Sequence, residues 1–226
     1  MPERRDGLIL PSGDGRAAST AHDAPGTVSE RSAGTGVPVP PSGLRGALIP
    51  AAEAAELSAS GGTTRAAVLV PLWERDGRTR ILLTQRHSQM RRHAGEISFP
   101  GGRADPEDGS PTATALREAH EEVGLVPASV DVVGALPPVG TLVTGYLIYP
   151  VVGWVEPPSR WTLSPYEVDR VFDLDLEALR ASHHRRRLVR RGIPFQTDVF
   201  ESGDAFVWGA TARMLVDLFE RWPGRP

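Results

Sequence analysis

The chain contains no cysteine among its 226 residues. It therefore cannot form a disulfide framework, use a thiolate nucleophile or hold a cysteine-ligated zinc ion. Any metal ion that the protein binds must take oxygen or imidazole ligands.

Long apolar runs are also missing. No stretch approaches the length of a membrane-spanning helix, and the short apolar stretch near the N-terminus is interrupted by proline and glycine before it could serve as a signal peptide. A strong charge imbalance is absent too, since the formal net charge is -3. We therefore expect a cytoplasmic protein with neither a membrane nor nucleic acid as its partner.

Residues 1–43 lack a sustained apolar period and are rich in Gly, Pro, Ser, Ala and charge. Such a segment buries too little apolar surface to offset its ordering entropy. We predict a disordered tail over 1–43 and one folded domain over 44–226, a length that suits a single core with extra segments.

The folded part shows clear local signals. Residues 65–86 contain two apolar strands joined at Asp76-Gly77, which predicts a β-hairpin. A helix is expected from the Ser110-Pro111 pair to Gly124. Residues 44–57 are helix-prone around Pro50. Further elements are predicted as a strand ending at 98–100, strands at 130–136, 146–155 and 195–208, and a helix at 209–221. The mixture has no βαβ alternation and indicates an α+β fold.

The helix that ends at Gly124 carries Glu118, Glu121 and Glu122 at positions i, i+3 and i+4, which share one face. Crowded carboxylates repel one another unless a cation lies among them, and hard divalent ions such as Mg²⁺ prefer oxygen ligands. Taken alone, such a triplet is more often a solvated acidic face, with Arg117 pairing to Glu121 at i+4. The surrounding residues favour the metal site.

Gly101 and Gly102 precede this helix, and a backbone without Cβ atoms can approach a phosphate and present its amides to it. Together, residues 101–125 closely resemble the Nudix box, G-x5-E-x7-R-E-U-x-E-E-x-G-U, in which U is aliphatic. Residues 117–125, REAHEEVGL, match every fixed position, with Ala119 as a small aliphatic residue. The resemblance implies a Nudix fold, with a mixed sheet sandwiched between α-helices.

The front half of the box departs from the pattern. Arg103 and Gly109 stand where the pattern has glycine and glutamate, so the loop is one residue longer. Acidic Asp105, Glu107 and Asp108 lie near the missing glutamate, and the sequence leaves open which of them, if any, replaces it.

Residues upstream resemble one branch of the family, the coenzyme A pyrophosphatases, whose pattern is L-L-T-x-R-[S/A]-x3-R-x3-G-x3-F-P-G-G. Residues 82–86 read LLTQR, Arg91 and Gly95 follow, and 99–102 read FPGG; His87 is the one departure. The resemblance implies Mg²⁺- or Mn²⁺-dependent cleavage of coenzyme A or a derivative to a 4′-phosphopantetheine moiety and adenosine 3′,5′-bisphosphate. It also leaves a homodimer open.

The same resemblance suggests roles for the residues of the site. Glu118 and Glu122 are expected to be the primary metal ligands, and Arg117 is expected to orient a glutamate. Glu121 would be a further ligand or the partner of Arg117, and either Glu121 or Glu167 would be the general base if one is needed.

Arg86, Arg91, Gly101 and Gly102 are expected to bind the phosphates of the substrate. Neighbouring Arg92 and His93 add positive charge, although an exposed solvated loop is the alternative.

A second basic run at 183–191 could bind phosphate or nucleic acid, but we favour a plain surface role. Residues 136–139 and Trp154 are candidate walls for the pantetheine arm, although we favour a turn or edge-strand role for the proline pair at 137–138. The tryptophans at 154, 161, 208 and 222 are expected in core or capping positions rather than as platforms for base stacking.

Three alternatives remain at this stage. The substrate could be another nucleoside diphosphate derivative, such as ADP-ribose or a dinucleotide. The chain could be a catalytically silent nucleotide sensor, although such a module has no reason to keep a carboxylate cluster that repels phosphate. A basic-patch RNA binder built on 183–191 is disfavoured by the acidic overall balance.

Overall fold

The computed structural model describes residues 38–88, 95–141, 143–190 and 192–222, together with the backbone of two dipeptides nearer the N-terminus. The predicted tail over 1–43 lies mainly outside these residues, and so do Arg91, Arg92 and His93. The division of the chain at residue 43 therefore stays a prediction.

A mixed sheet forms the centre of the fold. Its five main strands are β3 (Thr64–Arg75), β4 (Arg78–Arg86), β7 (Val130–Ala135), β9 (Tyr146–Val155) and β10 (Val168–Asp175). They lie in the order β10-β4-β3-β9-β7, and β3 and β9 run parallel while the other neighbours are antiparallel. Three short strands extend them: β5 (Ile97–Ser98) on β4, β6 (Gly101–Arg103) on β3 and β8 (Val139–Gly140) on β9.

The predicted hairpin is confirmed. Leu72 of β3 pairs with Ile81 of β4, and the turn has positive φ angles of 53° at Asp76 and 74° at Gly77. Two consecutive positive φ angles match the twist of the flanking strands, which explains the Asp-Gly pair.

The helix α3 (Pro111–Val123) is also confirmed. The Ser110 side chain accepts a hydrogen bond from the Ala113 amide at 3.1 Å, and Gly124 ends the helix with a φ of 72°. Ala115, Ala119 and Val123 are fully buried against the sheet. This contact leaves the glutamates on the remaining faces of α3.

Alternate residues of β3 pack on opposite sides of the sheet. Ala67 and Leu69 join the core beneath α3, whereas Val70 and Leu72 join the core on the other side. That second core is covered by α4 (Leu176–Ala181), α5 (Gly209–Arg221) and a second sheet. The fold is α+β with a mixed sheet between helices, as expected, and no helix of the described residues is long and apolar enough to cross a membrane.

The second sheet comprises β11 (His184–Arg190), β12 (Ile193–Ser202) and β13 (Ala205–Trp208), with β1 (Arg4–Arg5) and β2 (Leu8–Ile9) adding to β11 in the order β1-β2-β11-β12-β13. The predicted strand over 195–208 is thus two strands with a turn at Gly203, whose φ is 61°. The basic run forms β11; this strand, β10 and α4 are not among the elements predicted from the sequence. Residues 44–57 form two short helices, α1 (Leu44–Ala47) and α2 (Ala51–Ala54), because Pro50 separates them.

Candidate active site

A cavity of about 990 Å³ lies beside α3, the glycine strand β6 and the second sheet. Its polar lining includes Glu118, Glu122 and Glu167, with Arg86 and the glycine pair beside them. The rest of the lining is largely apolar. The volume lies at the upper end of the range for pockets that bury a small molecule.

Glu122 is the most deeply buried carboxyl group of the site, with 3% of its surface exposed. One oxygen, Oε2, accepts a hydrogen bond from the Gly101 amide at 3.2 Å, and Oε1 lies 3.5 Å from Nη1 of Arg86. Burial raises the pKa of Glu122 to about 8, the charges of Glu118 and Glu167 act in the same direction, and Arg86 and the Gly101 amide oppose them. A nearby cation would therefore favour the ionised form.

Glu118 lies one helical turn earlier and is 15% exposed in its side chain. Burial raises its pKa above the ordinary value, with the charges of Glu121 and Glu167 adding to the effect and Arg117 opposing it. A Cβ atom on Gly102 would fall 2.5 Å from the Glu118 carboxyl carbon and oxygens. A side chain at position 102 would therefore displace this carboxylate from its position beside the cavity.

Arg117 connects the helix to the loop before it. Its Nε and Nη2 atoms each donate to Asp108 at 2.8 Å, and Nη1 donates to Glu118 at 2.9 Å and to Glu121 at 3.1 Å. Asp108 is 9% exposed and also accepts from the hydroxyl of Thr114 at 2.9 Å. The hydrogen bonds from Arg117 are the main reason why the pKa of Asp108 lies far below its usual range. Of the acidic loop residues that the sequence left open, Asp108 forms this pair.

Glu121 lies apart from the other two glutamates. Its side chain is 52% exposed, it pairs with Arg117, and it does not line the cavity. Helical spacing correctly placed the three on one side of α3, but only Glu118 and Glu122 point into the cavity. Glu121 thus occupies the position of the Arg117 partner, one of the two roles expected for it.

Glu167 lies just before β10, and the backbone of His87 donates to its carbonyl oxygen at 2.8 Å. The His87 ring lies 3.4 Å from Asp169, so the bulky residue at the variable position of the branch pattern is accommodated beside an acidic partner. This pairing of β4 with the start of β10 brings Glu167 to the cavity.

Other expected residues divide between the cavity and the core. Arg86, Gly101, Gly102 and Val139 line the cavity. Trp154 is 1% exposed in the core, which confirms the core position expected for it and excludes it as a wall for a substrate arm.

The second sheet contributes Arg190, Phe195 and Trp208 to the cavity lining, and of these only Arg190 belongs to a segment, the basic run, for which phosphate contact is an alternative to a surface role. Trp208 is the N-cap residue of α5, in keeping with its expected core or capping position, and it also lines the cavity. Two arginines of β11 that lie on the same face of the strand each lie over an aromatic ring: Arg186 over Phe206 and Arg190 over Trp208.

The donor set fits a hard divalent cation in part. Glu118 and Glu122 offer two buried carboxylates whose charged forms need a positive partner. Across the described ranges, however, no group of three or more His, Asp or Glu side chains is arranged to hold a metal ion. A cation held by this pair would therefore take its remaining ligands from backbone carbonyls, water or substrate oxygens, as Mg²⁺ commonly does.

The NUDIX domain model matches residues 63–191 of the chain. The chain belongs to the Nudix family. Proteins described as uncharacterized Nudix hydrolase NudL from Enterobacter sp. (strain 638) and Citrobacter koseri are each 45% identical over 156 residues, which cover 68% of this chain and 80% of the relative. A crystal structure of a MutT/nudix family protein from Enterococcus faecalis aligns with a TM-score of 0.49 at 16% identity, covering 74% of this chain and 64% of that one.

This Nudix protein is thus a hydrolase of pyrophosphate bonds. Members of the family act on small nucleotide substrates and generally use a divalent metal such as Mg²⁺ or Mn²⁺. The NudL relatives carry no substrate in their names, so the family assignment alone leaves the substrate undefined.

Proposed function

We propose that this Nudix hydrolase cleaves the diphosphate of coenzyme A or its derivatives, with Mg²⁺ or Mn²⁺, to a 4′-phosphopantetheine moiety and adenosine 3′,5′-bisphosphate. The observation that carries the proposal is a single cavity lined by the carboxylate pair and by a large apolar wall with further arginines. Coenzyme A combines a diphosphate and a third phosphate with a long, mostly uncharged arm. The LLTQR and FPGG segments upstream of α3 support the same branch of the family.

In this proposal Glu118 and Glu122 hold the metal ion. When bound, the ion neutralises charge that develops on the diphosphate and makes water a better nucleophile. Gly102 keeps space free for Glu118, and the Gly101 amide holds one oxygen of Glu122, so the glycine strand sets the position of both carboxylates.

The arginines divide into two roles. Arg117 donates to Glu118 while Asp108 holds its Nε and Nη2 atoms, which orients the Glu118 carboxylate. Arg86 lies 3.5 Å from Glu122 and lines the cavity, where it can donate to a phosphate oxygen. Arg117 is therefore a positioning residue, and Arg86 is the candidate for contact with the diphosphate.

A general base must reach the attacking water from the cavity. Glu167 lines the cavity, and its charge raises the pKa of both Glu118 and Glu122. Glu121 faces Arg117 outside the cavity. Of the two candidates, Glu167 is the one whose carboxylate can accept the proton.

The uncharged arm of the substrate requires an apolar wall. Val68, Val139 and Ile148 from the central sheet line the cavity. Burial of an extended chain against such side chains contributes roughly 25 cal/mol per Å² of apolar surface.

A substrate panel tests the proposal. Purified protein is incubated with coenzyme A, ADP-ribose or NADH, in Mg²⁺ or Mn²⁺, and products are separated by chromatography. We expect kcat/KM to be highest for coenzyme A, with adenosine 3′,5′-bisphosphate as a product. A clear preference for ADP-ribose or NADH would overturn the proposed substrate and identify another nucleoside diphosphate derivative in its place. If none of the compounds is cleaved, the result would favour a catalytically silent nucleotide sensor.

A further inference from the structure

Arg190 and Trp208 meet at the cavity wall that the second sheet supplies. Arg190 ends β11 and Trp208 ends β13, and the guanidinium carbon lies 5.4 Å from the centroid of the Trp208 ring. The ring of Phe195 lies 6.3 Å from that of Trp208, tilted by 47°. All three side chains line the same cavity as the glutamates.

Arg190 keeps capacity for a further anionic partner. Among the described residues, Glu96 forms an ion pair with its guanidinium, but the Nη2 to Oε1 distance of 3.7 Å is too long for a hydrogen bond. Its Nε atom is buried without a hydrogen-bond partner in the described chain. An arginine left incompletely paired within a cavity gains from an oxygen-rich anion.

The first turn of α5 adds positive potential at the same wall. Gly209, Ala210 and Thr211 line the cavity, and the N-cap residue is Trp208, whose indole has no acceptor with which to cap the helix amides. The partial positive charge of a helix N-terminus has the same sign as Arg190. Both features therefore favour an anion here.

We propose that Arg190, Trp208 and Phe195 form a second subsite that binds the phosphorylated nucleoside end of the substrate. The inference rests on the proposed function: the diphosphate lies at the glutamates, and the base and 3′-phosphate lie at this wall. Arg86 is engaged close to Glu122, whereas Arg190 lies on a different strand against an aromatic ring. A cation beside two rings matches a phosphate beside a base better than it matches an uncharged arm.

Paired substrates test the subsite. Coenzyme A and desphospho-coenzyme A, which lacks the 3′-phosphate, are compared for wild type, Arg190→Gln and Arg190→Lys. Arg187→Gln is the matched control, because Arg187 is an exposed residue of the same strand that does not line the cavity.

We expect Arg190→Gln to lower kcat/KM for coenzyme A by roughly 10- to 100-fold, the range for loss of a charged hydrogen bond, and to change desphospho-coenzyme A by less than about threefold. Arg190→Lys should recover part of the loss, and Arg187→Gln should match wild type. An equal loss on both substrates, or no loss on either, would overturn the subsite.

A binding measurement separates failure of the subsite from failure of the proposed function. In EDTA, titration calorimetry compares adenosine 3′,5′-bisphosphate with AMP, using wild type, Arg190→Gln and Trp208→Ala. We expect wild type to bind the bisphosphate about tenfold or more tightly than AMP, Arg190→Gln to lose that preference, and Trp208→Ala to weaken both ligands. If wild type does not cleave coenzyme A but shows this pattern, the proposed function fails and the subsite stands. Equal binding of the two ligands by wild type overturns the subsite.

Discussion

Arg117 donates two hydrogen bonds of 2.8 Å to the Asp108 carboxylate, one from Nε and one from Nη2. The pair joins the loop that is one residue longer than the family pattern to the helix that carries the glutamates. With both of these atoms held by Asp108, Nη1 remains for Glu118 and Glu121. The loop therefore helps to set the orientation of the carboxylate that faces the cavity.

Asp108→Asn should destabilise the protein by roughly 1–2 kcal/mol, because it removes the negative charge of a buried carboxylate that accepts two hydrogen bonds from Arg117. The folded pKa of Asp108 is depressed, so its stabilising contribution is present above the ordinary aspartate pKa of 3.8 and is lost as pH falls through the folded value. Urea unfolding at pH 7 and pH 3 should show a larger difference from wild type at pH 7. Glu107→Gln, at an exposed neighbour, is the control; an equal effect of both substitutions would contradict the assignment.

Glu122→Gln should change the pH dependence of stability in metal-free protein. The folded pKa of Glu122 is about 8 against an ordinary value of 4.5, so its contribution is fully present below pH 4.5 and is lost as pH rises through 8. Each pKa unit corresponds to about 1.4 kcal/mol. Urea unfolding in EDTA from pH 5 to pH 9 should show wild type losing more stability than Glu122→Gln across this window. Parallel stability curves for the two proteins would show that burial does not shift the pKa of Glu122.

Features set by neighbouring residues were predictable from the sequence. Asp76-Gly77, Ser110 and Gly124 each determine a turn, a cap or a helix end through their own backbone or side chain, and the structure has all three. The position of Glu118 relative to Glu121 follows from helical geometry, but which of them faces a cavity depends on how α3 packs on the sheet.

Contacts between distant segments were not predictable in the same way. Arg190, Phe195 and Trp208 come from three strands, and their meeting depends on the antiparallel register of the second sheet. Asp108 could not be singled out from its acidic neighbours, because its role depends on the path of the loop toward Arg117. Both cases involve tertiary contacts that no local pattern determines.

Substitutions of the three glutamates of α3 should lower turnover by different amounts. Glu118→Gln and Glu122→Gln each remove a carboxylate that lines the cavity and should lower Mg²⁺-dependent kcat by roughly 1,000-fold or more. Glu121→Gln removes only a partner of Arg117 and should cost roughly 10- to 100-fold. Steady-state kinetics on the best substrate of the panel measures all three. Unchanged turnover in Glu118→Gln would falsify the metal assignment.

Glu167→Gln should lower kcat with little change in metal affinity, because Glu167 is assigned to proton transfer rather than to the metal. General-base groups typically contribute about 100- to 10,000-fold to rate. Mn²⁺ affinity, measured by electron paramagnetic resonance, should stay within about threefold of wild type. A parallel loss of Mn²⁺ binding would instead identify Glu167 as a ligand.

Gly102→Ala should inactivate the enzyme while leaving its fold intact, because the added Cβ would fall 2.5 Å from the Glu118 carboxylate and displace it. The clash is with the end of a side chain, so the backbone of β6 need not move far and the loss should appear in metal binding and kcat. Gly46→Ala is the matched control, since a Cβ there meets nothing within 4 Å. Circular dichroism checks the fold of both variants, and Mn²⁺ titration with turnover checks the site. If Gly102→Ala keeps wild-type metal affinity and activity, then the position of Glu118 beside the glycine pair has no part in catalysis.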